Sequence, residues 1–167
     1  DATNGNLKYA ERCPTWKMET VDSAGDVGLY TSLAFDSSGY PAISYHDATN
    51  GTLKYAKKGA SWITETVDSA GWVGWHTSLA LGSTGKPAIS YYDAANGDLK
   101  YAQWNGANWD METVDSSGDV GTCTSLAFDV SGNPDISYYD ATNDYVKHAY
   151  SDGTSWDIET VTPATAT

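Results

Sequence analysis

The chain has 167 residues, a hydrophobic share of 40% and a formal net charge of −13. That hydrophobic share is typical of a globular domain, which excludes a chain that is disordered throughout. Arg12 is the only arginine, and no apolar run approaches the roughly 20 residues of a membrane span, so nucleic acid and membranes are excluded as partners and we expect a soluble chain.

The sequence repeats itself with a period of 46 to 47 residues. DATNGNLKYA at Asp1 returns as DATNGTLKYA at Asp47, DAANGDLKYA at Asp93 and DATNDYVKHA at Asp140. Each copy is followed by a tryptophan-led run ending in ETV, and the later units add TSLA and ISY runs. These short β-like runs are bounded by Gly, Asn, Asp and Ser, which predicts strands joined by tight turns.

In chain order, the repeat predicts a half unit at 1–22, full units at 31–68, 77–115 and 124–161, and a Thr/Ala/Pro tail at 162–167. A full unit holds four strands, labelled A to D, which in the middle unit are predicted at 78–81, 88–92, 99–103 and 109–114. Strands A and B are small and apolar on both faces, whereas C and D mix in polar residues. Burial is therefore predicted to fall from A to D, as in a propeller blade with strand A at the axis.

The turn before the last tryptophan carries the sequence SDGTSW at 151–156. It is similar to the Ser-x-Asp-x-Gly-x-Thr-Trp turn of Asp-box propellers, although it is two residues shorter and the other units lack the Asp. The chain resembles the tandem-repeat β-propellers of bacteria and archaea and, more loosely, the Asp-box (sialidase-type) and lectin propellers. The repeat predicts an all-β propeller of four-stranded antiparallel blades, about three and a half in this chain; an open β-solenoid or a sandwich is the rival fold.

The charged and nucleophilic residues do not form a catalytic set. Sialidase chemistry needs several arginines around a sugar carboxylate, and Arg12 stands alone. The three histidines, His46, His76 and His148, occupy three different repeat positions, and no Ser/His/Asp set is visible. The sequence therefore predicts a protein that is not an enzyme.

The candidate ligand site is predicted where the repeats differ on the rim formed by the D–A and B–C turns. The D–A turns read DVGLY at 26–30, WVGWH at 72–76 and DVGTC at 119–123. Two added indoles beside a histidine suit a stacking platform for a glycan or a peptide, and Trp75→Ala is predicted to abolish binding. The alternative is a locally packed loop or a subunit contact. The proposed site residues are Trp72, Trp75, His76, Tyr30, Asp26 and Asp119.

Acidic turns on the same rim raise the question of calcium. The Asp/Asn-Gly segments form turns without metal, and none matches a calcium loop, so we predict no cofactor, no metal site and at most weak calcium binding. Cys13 and Cys123 are predicted on opposite rims and therefore unbonded. The tryptophan that returns in every unit is assigned to packing between blades: Trp16, Trp62, Trp109 and Trp156.

The leading functional prediction is a non-catalytic, lectin-like recognition module, outside the cell or on its surface, with a glycan or peptide ligand at that rim. Few basic residues, the tail and the triplet Asn50-Gly51-Thr52 favour the extracellular setting. The alternative is a structural subunit that self-assembles into a ring or filament. Half unit 1–22 has strands C and D only, so one edge of its strand C is unpaired. We expect this edge to be covered in a homo-oligomer or by the remainder of a longer propeller, of which this chain is a processed form or a fragment.

Overall fold

The computed structural model describes residues 1–161, and the tail predicted at 162–167 lies outside them. This part of the chain holds fourteen β-strands and no helix, hence none long and apolar enough to cross a membrane. The strands are β1 Leu7–Arg12, β2 Trp16–Asp22, β3 Val27–Phe35, β4 Pro41–Asp47, β5 Thr52–Lys58, β6 Trp62–Asp68, β7 Val73–Leu81, β8 Pro87–Asp93, β9 Asp98–Trp104, β10 Trp109–Asp115, β11 Val120–Phe128, β12 Pro134–Asp140, β13 Tyr145–Ser151 and β14 Trp156–Val161.

The strands pair as antiparallel meanders, because each tight turn returns the chain beside the strand it has just left. Strands β1 and β2 form a two-stranded half blade; β3–β6, β7–β10 and β11–β14 form the first, second and third blades. The prediction of an all-β propeller with about three and a half blades is confirmed, and the sheets do not close into a ring.

Strand A is longer than the sequence pattern suggested. It begins at Val27, Val73 and Val120, so most of each segment interpreted as a D–A turn belongs to β3, β7 or β11. The register shifts twice in each of these strands, and Tyr30, His76 and Cys123 adopt positive φ angles of 50° to 52°. Such bulges interrupt the two-residue alternation, which is why the start of the strand was not recognised.

Burial is greatest in strand B and falls from there to strand D, as β8 to β10 show, so the predicted decline holds except that it does not begin at strand A. All seven residues of β4 are buried, whereas most of β3 is exposed. In the first and second blades strand B lies between A and C within its own sheet and between neighbouring blades, so both its edges and both its faces are covered; β12 of the third blade is less buried. Strand β7, which packs between β3 and β11, has no exposed residue, so the exposure of β3 follows from the lack of a neighbour on one side in the described chain rather than from its place at the axis.

The recurring tryptophan joins neighbouring blades, as predicted. The Trp109 indole Nε1 donates a hydrogen bond to Glu65 Oε1 of the preceding blade at 3.1 Å, and its ring meets Tyr55 edge-on at 5.3 Å. The same contacts are made by Trp62 with Glu19 and Tyr9, and by Trp156 with Glu112 and Tyr101. At every blade junction, one tryptophan therefore packs its ring against a tyrosine and donates its indole N–H to a glutamate.

A buried carboxylate also links each pair of blades. Asp68, at the end of β6, accepts hydrogen bonds from Tyr91 Oη at 2.7 Å and Lys100 Nζ at 3.0 Å, both in the next blade. Equivalent groups are Asp22 with Tyr45 and Lys54, and Asp115 with Tyr138 and Lys147. Burial alone would raise the pKa of Asp68, but the bonds from Tyr91, the Ala70 amide and Lys100 outweigh it and hold the pKa below its ordinary value.

Acid is expected to destabilise the fold through these carboxylates. The pKa values of Asp22, Asp68 and Asp115 are all lowered from 3.8 in the folded chain, so the stabilisation they give is present above that value and is lost as pH falls through the folded pKa values. Urea unfolding from pH 7 to pH 2.5 should show the free energy of unfolding declining below roughly pH 4. A free energy that stays level over this window would contradict the assignment.

Candidate functional site

Three of the predicted rim residues meet where the bulges of β3 and β7 adjoin. The rings of Tyr30 and Trp75 stack with centroids 5.4 Å apart, and Tyr30 lies 4.8 Å from His76. Two residues that were not predicted complete this rim cluster: His46 meets Trp75 edge-on at 5.9 Å, and Tyr92 lies 6.4 Å from His76.

The aromatic rings of the rim cluster mainly contact one another. Trp75 contacts both Tyr30 and His46, and its Nε1 is buried without a hydrogen-bond partner in the described chain. The His46 ring is fixed by a 2.8 Å hydrogen bond between Nδ1 and the Val73 carbonyl. Burial lowers the pKa of His76, so this ring is neutral at physiological pH. The cluster packs the first and second blades together, and Tyr30 remains 39% exposed at its edge.

The other predicted rim residues stand outside the stack. Trp72 is 57% exposed, and its carbonyl accepts a hydrogen bond from the Ala94 amide. Asp119 accepts a 2.6 Å hydrogen bond from Tyr92 Oη, and burial together with this carboxylate raises the pKa of Tyr92 to about 12. Asp26 lies at the junction of the half blade and the first blade, where its amide donates to Thr49 Oγ1. The rim site stays a prediction.

A concave site lies on the opposite rim, between the first and second blades. This inter-blade cleft has a volume of about 510 Å³, within the range of small-molecule sites. The first blade contributes side chains from β5 and β6, and the second contributes its A–B turn and the end of β9. The principal lining residues are Tyr55, Lys57, Lys58, Glu65, Lys86 and Trp104.

Contacts within and between the two blades hold the polar and aromatic groups of the inter-blade cleft. Trp104 ends β9 and meets Trp109 edge-on at 5.8 Å, which leaves its indole half-buried at the cleft. The hydrogen bond from Trp109 orients the Glu65 carboxylate, and Lys86 Nζ donates to the Asn105 carbonyl at 2.9 Å. The inter-blade cleft therefore presents an aromatic face beside fixed donors and an acceptor.

Such a set suits an uncharged, hydroxyl-rich ring. Ammonium groups donate hydrogen bonds to hydroxyl oxygens, a carboxylate accepts from hydroxyl groups, and an indole packs against the apolar face of the ring. Lys58 is paired with Glu19 and lies 5.4 Å from the Trp62 ring, while Lys57 lies 3.9 Å from Asp36. These carboxylates offset the lysine charges, so an anionic ligand is not specifically favoured.

Comparison of the repeats explains why sequence reasoning missed the inter-blade cleft. The equivalent space between the second and third blades holds only about 140 Å³, with Gln103 where Lys57 lies and Ser151 where Trp104 lies. The repeat position of Trp104 reads Arg, Lys, Trp and Ser along the chain. The signal was a non-repeated tryptophan, as on the predicted rim, but it lies at the end of strand C, beside the C–D turn.

The aspartates of the B–C turns accept hydrogen bonds from within their own turns. Asp47 Oδ1 accepts from the Asn50 amide at 3.0 Å and Asp47 Oδ2 accepts from Asn50 Nδ2 at 2.9 Å, with the same arrangement at Asp93 and Asp140. Across residues 1–161, no three His, Cys, Asp or Glu side chains gather at metal-binding distance. Cys13 and Cys123 are not bonded to each other, as predicted, and both are exposed.

Calcium is expected to act only by relieving charge repulsion, since these aspartates already satisfy their own turns. Adding 5 mM calcium should raise the melting temperature slightly, and an equal ionic strength of sodium chloride should reproduce most of that rise. A stoichiometric calcium transition seen by calorimetry, with a large rise in melting temperature, would show instead a dedicated site.

No protein-family model matches the chain, and no curated protein sequence matches it. Several solved structures share its fold. A fucose lectin from Kordia zhangzhouensis, solved with methyl-fucoside, aligns with a TM-score of 0.56 and 18% identity over 80% of this chain and 99% of the lectin. The Aleuria aurantia lectin, solved as an N224Q mutant with Fucα1-6GlcNAc, gives 0.63 and 17%, and the same fucose-specific lectin as a mercury derivative gives 0.60 and 19%.

These likenesses concern the fold. The chain is covered over 96% of its length by each Aleuria aurantia structure but spans only 55% of that lectin. The resemblance to lectin propellers drawn from the sequence is thus confirmed at the level of the blades, while the Asp-box resemblance stays a prediction. In the 151–156 turn, Asp152 Oδ1 accepts from the Thr154 amide at 2.9 Å.

Proposed function

We propose that this chain is a non-catalytic, lectin-like module that binds a neutral monosaccharide or the end of a short glycan in the inter-blade cleft. The observation that carries the proposal is Trp104, a non-repeated indole beside Lys86 and Glu65 in a space of about 510 Å³. Aromatic stacking with a few converging polar groups is the usual composition of a site for a small polar ligand. A role outside the cell or on its surface is expected for such a module.

The solved structures that share the fold supply the first sugar to test. Two of them contain a fucoside, and a third is described as fucose-specific. Fucose combines hydroxyl groups with an apolar methyl group, which fits a cleft that has both an indole and fixed polar groups. We therefore propose a fucosylated glycan as the ligand class.

The test is a glycan array followed by calorimetric titration with methyl-fucoside. We expect saturable binding with one site per chain, because the other two blade junctions of the described chain have Lys58 and Ser151 at the repeat position of Trp104. Binding should also quench tryptophan fluorescence. The fucoside should be recovered unchanged after prolonged incubation. Absence of binding to every glycan, or turnover of the fucoside, would overturn the proposal.

A further inference from the structure

The half blade has a free strand edge in the described chain. Strands β5, β9 and β13 each pair with a B strand on one side and a D strand on the other, whereas β1 pairs with β2 alone. Beside this edge, a groove of about 190 Å³ runs between β1 and β3. It occupies the position where a B strand lies in every complete blade, and it is lined by Leu7, Tyr9, Ala10, Thr31, Leu33 and Ile43.

The face of β3 beside this groove is also uncovered. Leu33 is 51% exposed, while Leu79 and Leu126, at the same repeat position, are 6% and 7% exposed. Thr77 and Thr124 each share a buried hydrogen bond with a B-strand serine of the preceding blade, at 2.6 and 2.8 Å, whereas their equivalent Thr31 is exposed. The groove thus lacks an A–B hairpin with a serine on strand B.

The opposite face of the half blade is also uncovered. Trp16 is 68% exposed, although the three equivalent tryptophans are half-buried against a glutamate and a tyrosine of a preceding blade. Met18, two residues further along β2, is exposed as well. The open edge and the two uncovered faces have the geometry that an A–B hairpin of this repeat fills in each complete blade.

We propose that the half blade binds the β11–β12 hairpin of a second copy of this chain, with β1–β2 taking the place of that copy's β13–β14. In this composite blade Tyr9 lies opposite Ser137 and Ala10 opposite Ile136, as Tyr55 and Ala56 lie opposite Ser44 and Ile43 in the first blade. Thr31 then bonds Ser137, and Lys8 reaches Asp115 in place of Lys147.

Strands β13 and β14, which would be displaced, differ from the repeat on the surface where a following blade would stack. Asp144 stands where the other units have Gly5, Gly51 and Gly97. A Cβ at Gly51 would lie 2.9 Å from the Trp72 amide nitrogen of the next blade, and one at Gly5 would lie 3.0 Å from the Asp26 Cα, so a side chain at this position crowds those two junctions; at Gly97 the nearest atom is 3.4 Å away. His148 likewise replaces the packing tyrosine and bonds Asp135 at 2.5 Å instead. The half blade retains both the glycine and the tyrosine.

The contacts predict a head-to-tail assembly, because the groove at one end of a chain receives the hairpin at the other end. This assembly does not depend on glycan binding. We expect light scattering to give a mass that rises with concentration above the 17.9 kDa of one chain. A mass of one chain at every concentration up to the millimolar range would overturn the proposal.

Cysteine cross-linking tests the strand register. In a chain with Cys13→Ser and Cys123→Ser, the Tyr9→Cys and Ser137→Cys variants are made separately and mixed under mild oxidation. We expect a disulfide-linked dimer from the mixture, because these positions face each other only in the composite blade. The matched control is Tyr9→Cys mixed with Ser90→Cys, which stands at the same repeat position in a complete blade and should stay uncoupled. Equal coupling in both mixtures, or none with Ser137→Cys, would overturn the register.

Two surface variants test the faces without disturbing the folded monomer. Leu33→Asp changes a side chain that is half exposed, and it should weaken association at least ten-fold. Asp135→Ala restores the alanine present in the first two blades and removes the partner of His148, so it should strengthen association several-fold. Circular dichroism of each variant confirms folding. Association that is unchanged by Leu33→Asp, or weakened by Asp135→Ala, would contradict the composite blade.

Discussion

Alanine in place of Trp104 is expected to weaken methyl-fucoside binding about ten- to thirty-fold. A sugar ring that covers roughly 70 Å² of indole removes apolar surface worth about 2 kcal/mol from water, and this corresponds to that change in affinity. Because Trp104 is half-buried at the end of β9 and ends a strand whose other contacts remain, the fold should survive the change. Calorimetric titration of the variant with methyl-fucoside measures the effect.

The matched control is the rim predicted from the sequence. Trp72→Ala and Trp75→Ala remove indoles that were proposed as a stacking platform, and both should leave the affinity within two-fold of the unaltered chain. Loss of binding in Trp75→Ala with normal binding in Trp104→Ala would place the ligand on the rim cluster and contradict the inter-blade cleft. Thermal unfolding of each variant separates a lost contact from a lost fold.

The repeat was sufficient to predict the blades, because each unit carries its own strand runs, turn residues and junction tryptophan. A residue that returns in every unit, such as Trp109, meets the same neighbour in every unit, and packing between blades follows from that alone. The half blade could be counted for the same reason. The strand order within a sheet followed from turns too short for anything but antiparallel neighbours.

The bulges of strand A could not be predicted from alternation. Tyr30, His76 and Cys123 adopt positive φ angles of 50° to 52°, which non-glycine residues rarely take. The three side chains differ in chemistry, so no residue type marks the bulge in the sequence. The predicted turn was in fact the beginning of the inner strand.

The inter-blade cleft was missed for a related reason. Its walls come from two blades, and Trp104 faces Glu65 only once the blades are stacked. The sequence showed that Trp104 departs from the repeat, but not that its side chain lies beside a concave space. The rim indoles were chosen by the same criterion of departure from the repeat, and Trp75 instead fills a junction beside Tyr30 and His46.

Replacing Asp68 by alanine is expected to lower the free energy of unfolding by about 3–5 kcal/mol, because it leaves the Lys100 ammonium without its buried partner. Tyr91 Oη loses its acceptor at the same time, in a ring that is fully buried. A domain is stable by only about 5–15 kcal/mol, so this single change should remove much of the stability. Urea denaturation at pH 7 measures the loss.

Two further variants show whether the uncompensated charge is the cause. Asp26→Ala alters an exposed carboxylate at a blade junction and should change stability by no more than about 0.5 kcal/mol. The double variant Asp68→Leu with Lys100→Met removes both charges, and we expect it to be more stable than Asp68→Ala because no ion remains buried without a partner. If Asp68→Ala costs less than about 1 kcal/mol, or if the double variant is the less stable of the two, the carboxylate does not hold the blades together by pairing with Lys100, and packing of Tyr91 and its neighbours must do so instead.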